Sequence, residues 1–250
     1  MIRLFAVPGA ARLDAAAYGF FLGIASAPRK ARARRFFQRE DACRCLIAEA
    51  LLRHGFAALT GRDMDGASLQ TGAYGKPALP GDGPHFNLSH SGDWVICGFA
   101  AEEIGVDIEA HHDVHAGLAD RFFSPAERTW LSQAPGADAA RKRFFDVWSL
   151  KESYIKAFGR GLACPLESFA CLPDGSDGAV RLQRADADLP MRHLRLMELH
   201  PEYSAALCTV ADAPAPDLRI IAPSELADSL HRLERSGPAP RVAAASEADF

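Results

Sequence analysis

From Ile104 to Glu109 the chain reads Ile-Gly-Val-Asp-Ile-Glu, a strict alternation of apolar and non-apolar residues. Successive side chains of a strand point to opposite faces, so Ile104, Val106 and Ile108 turn one way and Gly105, Asp107 and Glu109 the other. A fold can bury the first face only by gathering two carboxylates on the second. At about 3.3 Å of rise per residue the two backbones stand roughly 6.6 Å apart, near enough for both carboxylates to reach one hard cation. Gly105 is expected to leave open space beside them.

The second constraint is the segment Phe144 to Gly159, FFDVWSLKESYIKAFG. Wound as a helix, it places Val147, Leu150, Tyr154 and Phe158 on one inward side. Glu152 and Lys156, four residues apart, share a different face with Trp148 and Ser149. If that face looks at the Asp107/Glu109 strand, three carboxylates and one ammonium meet, a set suited to a divalent metal carrying a diphosphate. Taken singly, neither feature is decisive. An Asp-x-Glu pair at a strand end is commonly solvated, and a Glu/Lys pair of this spacing is commonly a weak surface ion pair.

The chain has 250 residues, 48% hydrophobic and 24% charged, room for one large domain or two small ones. A formal net charge of −4 gives no global pull toward nucleic acid or anionic membrane, and neither is expected as a partner. The six cysteines show no Cys-x-x-Cys and no zinc-module spacing, and most lie in apolar segments, so they read as small core residues of a reduced, cytoplasmic protein. The apolar run in MIRLFAVPGAARL is too short for a signal peptide, and no stretch approaches a membrane span.

Ile2 to Val7 reads as a strand ended by Pro8-Gly9, and Asp14 to Ile24 as a helix; Ser26-Ala27-Pro28 signals the start of another. Arg29, Lys30, Arg32, Arg34, Arg35 and Arg39 follow, the densest positive patch in the chain. Glu40 to His54 has helical apolar spacing, with Gly55 expected to stop it and Arg44 at the edge of its stripe. Thr71 to Pro80 is turn-rich. His85 to Gly92, HFNLSHSG, is a short strand running into a polar tip that resembles an anion-holding turn, and Trp94 to Ala100 is a buried strand. His111 and His112 are expected in a solvated loop. Ser124-Pro125-Ala126-Glu127 carries a capping-box signature, which gives Glu127 a structural task. Strand-like runs follow at Ser168 to Leu172, Ala179 to Gln183, His193 to Leu199, Tyr203 to Val210 and Leu218 to Ile221, then a helix from Ser224 to about Arg235. The second half repeats the first, a long helix and a hairpin-rich sheet. The fold class expected is α+β: two similar α/β lobes related by a pseudo-twofold, each a small, mostly antiparallel sheet with a long helix. The lobes are expected at residues 1–102 and 103–235 with the site at their junction, and 236–250 as a disordered tail.

Lys76-Pro77, FNLSHSG, GVDIE, RFFSPAE and WSLKESYIKAFGRGL, in this order and spacing, resemble the signature blocks of the Sfp-type 4′-phosphopantetheinyl transferases over roughly residues 1 to 222. The resemblance implies an enzyme that moves phosphopantetheine from coenzyme A to a carrier-protein serine and releases 3′,5′-ADP. It implies Mg²⁺, with Mn²⁺ as a substitute, on Asp107, Glu109 and Glu152, and Lys156 and Lys151 beside the phosphates. Ser89 and His90 match the phosphate-holding turn; Gly75, Lys76 and Pro77 match the strip against which adenine rests; Arg29, Arg32 and Arg44 match positions that hold the ribose 3′-phosphate. The first lobe then serves coenzyme A and the second the metal. Glu152 or a metal-bound water is the candidate base, Glu127 a lesser one, and Lys156 the cationic catalyst. The partner implied is an apo acyl or peptidyl carrier, or a carrier domain of a polyketide or peptide synthetase, in secondary metabolite biosynthesis. Because two fused lobes can supply the whole site, a monomer is expected. Phe122, Phe123 and Trp130 could dock the carrier or form core. Two rival readings are a Mg²⁺-dependent pyrophosphohydrolase, with water as acceptor, and an inactive carrier-binding module. The gathered carboxylates count against the last.

Overall fold

The computed structural model describes residues 1–64, 69–72, 74–81, 83–115, 117–159, 164–174, 178–184 and 190–235. Residue 73 of the turn-rich stretch, residues 160–162 of the last signature block and the tail 236–250 lie outside the described residues.

The first lobe is built on a sheet of β1 (Arg3–Val7), β4 (His85–Ser91) and β5 (Trp94–Ala100), flanked by α1 (Ala15–Ile24), α2 (Ala27–Ala33) and α3 (Arg39–Thr60); β2 (Gln70–Thr71) and β3 (Pro77–Ala78) form a small separate ladder. The second holds β6 (Ile104–Ala110), α4 (Leu118–Phe122), α5 (Pro125–Ser132), α6 (Ala137–Phe158), β7 (Phe169–Pro173), β8 (Ala179–Arg184), β9 (His193–Met197) and β10 (Tyr203–Thr209). Its sheet runs β6-β10-β9-β8-β7 and is antiparallel throughout.

Local signals act where the sequence puts them. Asp14 and Ser26 cap α1 and α2 by accepting from the amides of Ala17 and Arg29, and Ser124 and Glu127 close a reciprocal capping box on α5. Gly55 does not stop α3, which runs on to Thr60. A Cβ at position 55 would lie 2.3 Å from the ring of Phe99 and 3.0 Å from that of Phe5, so the glycine is there to let two core rings meet the helix.

Alternation along the strands then builds four layers. Phe5, Val7, Phe86, Cys97 and Phe99 face α1 and α3. Leu4, Ala6, Ile96, Ile104, Val106, Ile108, Ala205 and Leu207 fill the space between the two sheets. Leu150, Tyr154 and Ala157 of α6 pack on Ala206, Cys208 and Leu194 behind the second sheet. Helix, sheet, sheet, helix is the pseudo-twofold arrangement expected, with α3 and α6 as the equivalent helices of 22 residues each. All six cysteines are buried, and none of them is in a disulfide. Among the described residues no helix is long and apolar enough to cross a membrane.

A single cut at residue 103 does not divide the chain. The last strand, β11 (Asp217–Ile220), pairs in parallel with β1, and α7 (Pro223–Arg235) buries Leu226 and Leu230 in the first lobe's core. The expected second lobe of 103–235 is thus corrected: its last twenty or so residues return to the first, because β1 offers an open edge and α3 an unfilled apolar flank.

The two sheets meet at their edges, β4 and β6. No backbone ladder joins them. Instead Asn87, Ser89 and Ser91 accept hydrogen bonds from the amides of Val106, Ile108 and Ala110, at 2.8, 3.4 and 3.1 Å. Three side chains at alternate positions replace the missing strand partner.

Candidate active site

The helix-facing row of β6 is Gly105, Asp107, Glu109 and, just past the strand end, His111. Gly105 does not leave open space. A Cβ there would lie 1.9 Å from the carbonyl oxygen of Ser153 and 2.6 Å from the amide of Ala157, so α6 backbone occupies that room. The close approach brings the next side chain of the helix, Lys156, onto Asp107, Nζ to Oδ1 at 2.5 Å. Asp107 is 1% exposed. Its Oδ1 also accepts from Ser89 Oγ at 2.8 Å, while its Oδ2 is buried and receives no hydrogen bond.

Glu109, half-buried, accepts from Ser91 Oγ at 2.9 Å; burial and then the charge of Asp107 push its carboxyl up to about 7. Glu152, also half-buried, has its pKa raised by burial and by Asp107, against the opposing pull of Lys156. For Lys156, burial disfavours the charge, but Asp107, Glu152 and Glu109 outweigh it and hold the ammonium above its ordinary pKa. One strand and one helix thus bring the three carboxylates and the lysine into mutual electrostatic reach. They do not form a closed cluster: among the described residues no three His, Cys, Asp or Glu side chains stand as a group able to hold a metal ion. The ammonium of Lys156 takes one oxygen of Asp107. The donor set nevertheless fits a hard divalent cation, since a buried carboxylate oxygen without a partner and two carboxyls held in an unfavourable charge state are what such an ion would relieve.

Around this row the basic residues separate into roles. His90 lies exposed on the other face of β4 from Ser89; partial burial, then Arg44 and Lys156, keep its pKa below the ordinary value. Arg44 donates to the carbonyl of Gly92 at 2.7 Å and to Asp41 at 2.5 Å, which seats it beside the β4–β5 turn. Arg29 is held by buried Glu49 at 3.2 Å, while Arg32 is exposed. Ser89 is 7% exposed and its hydroxyl proton is committed to Asp107, so it orients a carboxylate rather than presenting a donor outward.

Lys151 requires a correction. It follows Lys156's helix but points roughly 100° away from Glu152, as adjacent helical residues must. It is fully buried, 2.9 Å from fully buried Glu127, and donates to the carbonyls of Leu166 and Phe169 at 2.7 and 2.6 Å, with the Phe169 ring beneath it. Glu127 in turn accepts from the amides of Ser124 and Cys171. Every polar atom of this pair is occupied in joining α5, α6 and β7, which removes Lys151 from the phosphates and Glu127 from proton transfer.

Lys76 also does something the sequence did not announce. Its ammonium donates to the carbonyls of Ile104 and Ala157 at 3.0 and 2.6 Å, tying the β3 loop to the start of β6 and the end of α6; burial draws its pKa down to about 8. Gly75 and Pro77 stay exposed beside it. Pro77 and Lys76 edge a cleft of about 660 Å³ that also touches Tyr74, Glu103, Phe158 and Gly159, a volume typical of small-molecule sites. Phe123 is core, and Phe122 and Trp130 are half-buried around it. His111 is not in a solvated loop: its Nε2 lies 2.9 Å from Ser204 Oγ, which donates to Asp146, and its ring stacks on Phe145. Ser91, in sequence only part of the polar tip, is a further residue of the site through its bond to Glu109. The signal was there, since Asn87, Ser89 and Ser91 share the period of Gly105, Asp107 and Glu109.

Family models described as "4'-phosphopantetheinyl transferase, N-terminal" and "4'-phosphopantetheinyl transferase superfamily" match residues 16–103 and 103–208, meeting where β6 begins. The chain is 36% identical over 208 residues to the 4'-phosphopantetheinyl transferase Sfp of Bacillus subtilis (strain 168), covering 82% of this chain and 91% of that one. It is 40% identical over 185 residues to another 4'-phosphopantetheinyl transferase of Bacillus subtilis, covering 73% and 81%. To the 4'-phosphopantetheinyl transferase gsp of Aneurinibacillus migulanus it is 32% identical over 169 residues, covering 68% and 70%.

Proposed function

The chain belongs to the 4′-phosphopantetheinyl transferase superfamily, and from that membership we propose how its own residues transfer phosphopantetheine from coenzyme A to a carrier-protein serine. The observation that carries the proposal is the row of Asp107 and Glu109 on β6 facing Glu152 and Lys156 on α6, with His90 of the first lobe close enough to feel Lys156 across the junction.

Asp107, Glu109 and Glu152 would hold Mg²⁺ or Mn²⁺, which supplies charge withdrawal from the diphosphate. Lys156 is cationic throughout and offsets the charge that gathers on the departing group. The carrier serine oxygen bonds to the phosphorus next to pantetheine, the bond from that phosphorus to the bridging oxygen breaks, and the electron pair leaves on 3′,5′-ADP. Glu152, whose carboxylate burial makes more basic than an ordinary one, takes the proton of the serine hydroxyl. Arg44 and His90 would face the nucleotide phosphates, Arg32 and Arg29 would supply positive potential for the 3′-phosphate, and Pro77, with the exposed Gly75 close by in the chain, would edge the cleft for adenine. The acceptor is a carrier protein of the acyl or peptidyl kind, or a carrier domain of a polyketide or peptide synthetase. The protein is a cytoplasmic monomer in this reading.

Mass spectrometry of apo-carriers incubated with the protein, coenzyme A and Mg²⁺ tests it: a phosphopantetheine mass gain on the carrier serine is expected, and its absence across acyl and peptidyl carriers refutes it. A carrier-free incubation separates the pyrophosphohydrolase, which alone would release 4′-phosphopantetheine quickly.

A further inference from the structure

All three carboxylates assigned to the metal come from the second lobe, yet two of them are held by hydroxyls of the first. Ser89 Oγ donates to Asp107 Oδ1 and Ser91 Oγ donates to Glu109 Oε2, at 2.8 and 2.9 Å. Each hydroxyl also accepts from the β6 amide that follows its carboxylate, Ile108 for Ser89 and Ala110 for Ser91. A serine hydroxyl has one proton and two lone pairs, so pinning the backbone amide leaves the proton for the carboxylate and fixes which oxygen receives it. The Ser-x-Ser of β4 is in this way a template matched in period and register to the Asp-x-Glu of β6.

Glu109 depends on it more than Asp107 does. Asp107 is buried and additionally held by Lys156, whereas among the described residues the one hydrogen bond to the Glu109 carboxylate is that from Ser91. Ser91 sits at the end of β4 and takes no part in the proposed chemistry.

We infer that Ser91 is a positioning residue for the metal carboxylate Glu109, so that the first lobe sets the cation affinity of a site whose ligands all lie in the second. The inference rests on the metal reading above. The carboxylate is aimed before any ion arrives, and losing the hydroxyl frees a half-buried side chain to rotate.

The test compares S91T and S91V, side chains of the same shape that differ in the hydroxyl, in the full chain by Mn²⁺ titration followed by electron paramagnetic resonance, with no turnover involved. Wild type and D107N define the site. S91T is expected within about twofold of wild-type affinity and S91V at least about tenfold weaker, the range for loss of a hydrogen bond to a metal ligand. In transfer assays the KM for Mg²⁺ should rise in S91V with the kcat at saturating metal largely retained. Equal Mn²⁺ affinity of S91T and S91V overturns the inference alone. A wild type without a D107N-sensitive Mn²⁺ site overturns the metal reading and the inference with it.

Discussion

Glu152 stands one helical turn before Lys156, and burial raises its pKa while the lysine pulls it down. In its proposed role as proton acceptor it is not backed by Glu127, which is locked to Lys151. Glu152→Gln is expected to lower transfer by two orders of magnitude or more, about the scale of a lost general base, with coenzyme A binding kept, as turnover and calorimetric titration will show. Lys76 gives a prediction of a different kind. Its ammonium has a pKa of about 8 against an ordinary 10.5, so the folded chain binds this proton less tightly than the unfolded one. Below pH 8 both states are charged and the burial penalty is present in full. Between about pH 8 and 10.5 the unfolded chain is the more protonated, and stability rises with pH. The unfolding free energy of the wild type relative to Lys76→Met, from urea titration, should therefore improve from pH 7 to pH 10, by at most about 3 kcal/mol. A flat difference would mean that the two carbonyls keep Lys76 charged. At this scale the periodicity revealed Asp107, Glu109, Glu152 and Lys156 and turned Lys151 to another face, but not the buried Glu127 and carbonyls that Lys151 meets there.

The element that decides the site is α6, and its height above β6 is set by one residue. With the Ser153 carbonyl 1.9 Å from where a Cβ would be, Gly105→Ala must push helix and strand apart. The expected result is a loss of about 1–3 kcal/mol, typical of overpacking, and a loss of transfer larger than the stability change explains, because the Lys156–Asp107 contact opens. Thermal unfolding and the transfer assay on the same variant check both halves; normal activity would show that the close approach is not needed. Helix and strand existence was legible from apolar period along β6 and α6. The role of Gly105 and of Gly55 was not, since a glycine in a sequence looks the same whether it ends a helix, leaves a void or admits a neighbour.

Across the whole molecule, the ties between the two lobes include the hydroxyl template of β4 on β6, the Lys76 bridge, and the return of β11 and α7 to the first sheet. The return lies beyond the region that the family models match, residues 16–208, yet it buries Ile221, Leu226 and Leu230. At about 1.5–3 kcal/mol for each buried apolar side chain, that is comparable to the stability of an ordinary domain. A chain ending at residue 212 should lose most of its cooperative melting transition despite keeping every proposed catalytic residue. Circular dichroism against temperature will decide it, and an unchanged transition would mean that the first lobe stands without its last strand and helix.

The sequence alone determined the alternating strand, the amphipathic helix, the cap positions and the blocks shared with the transferase family, because these follow from spacing along one element. Only the tertiary structure decided which lobe the last strand joins, that Lys151 serves the core, that Gly105 is filled by helix backbone, and that serines of one lobe hold carboxylates of the other. Those are distances between elements, and they are set by how faces pack rather than by any period within them.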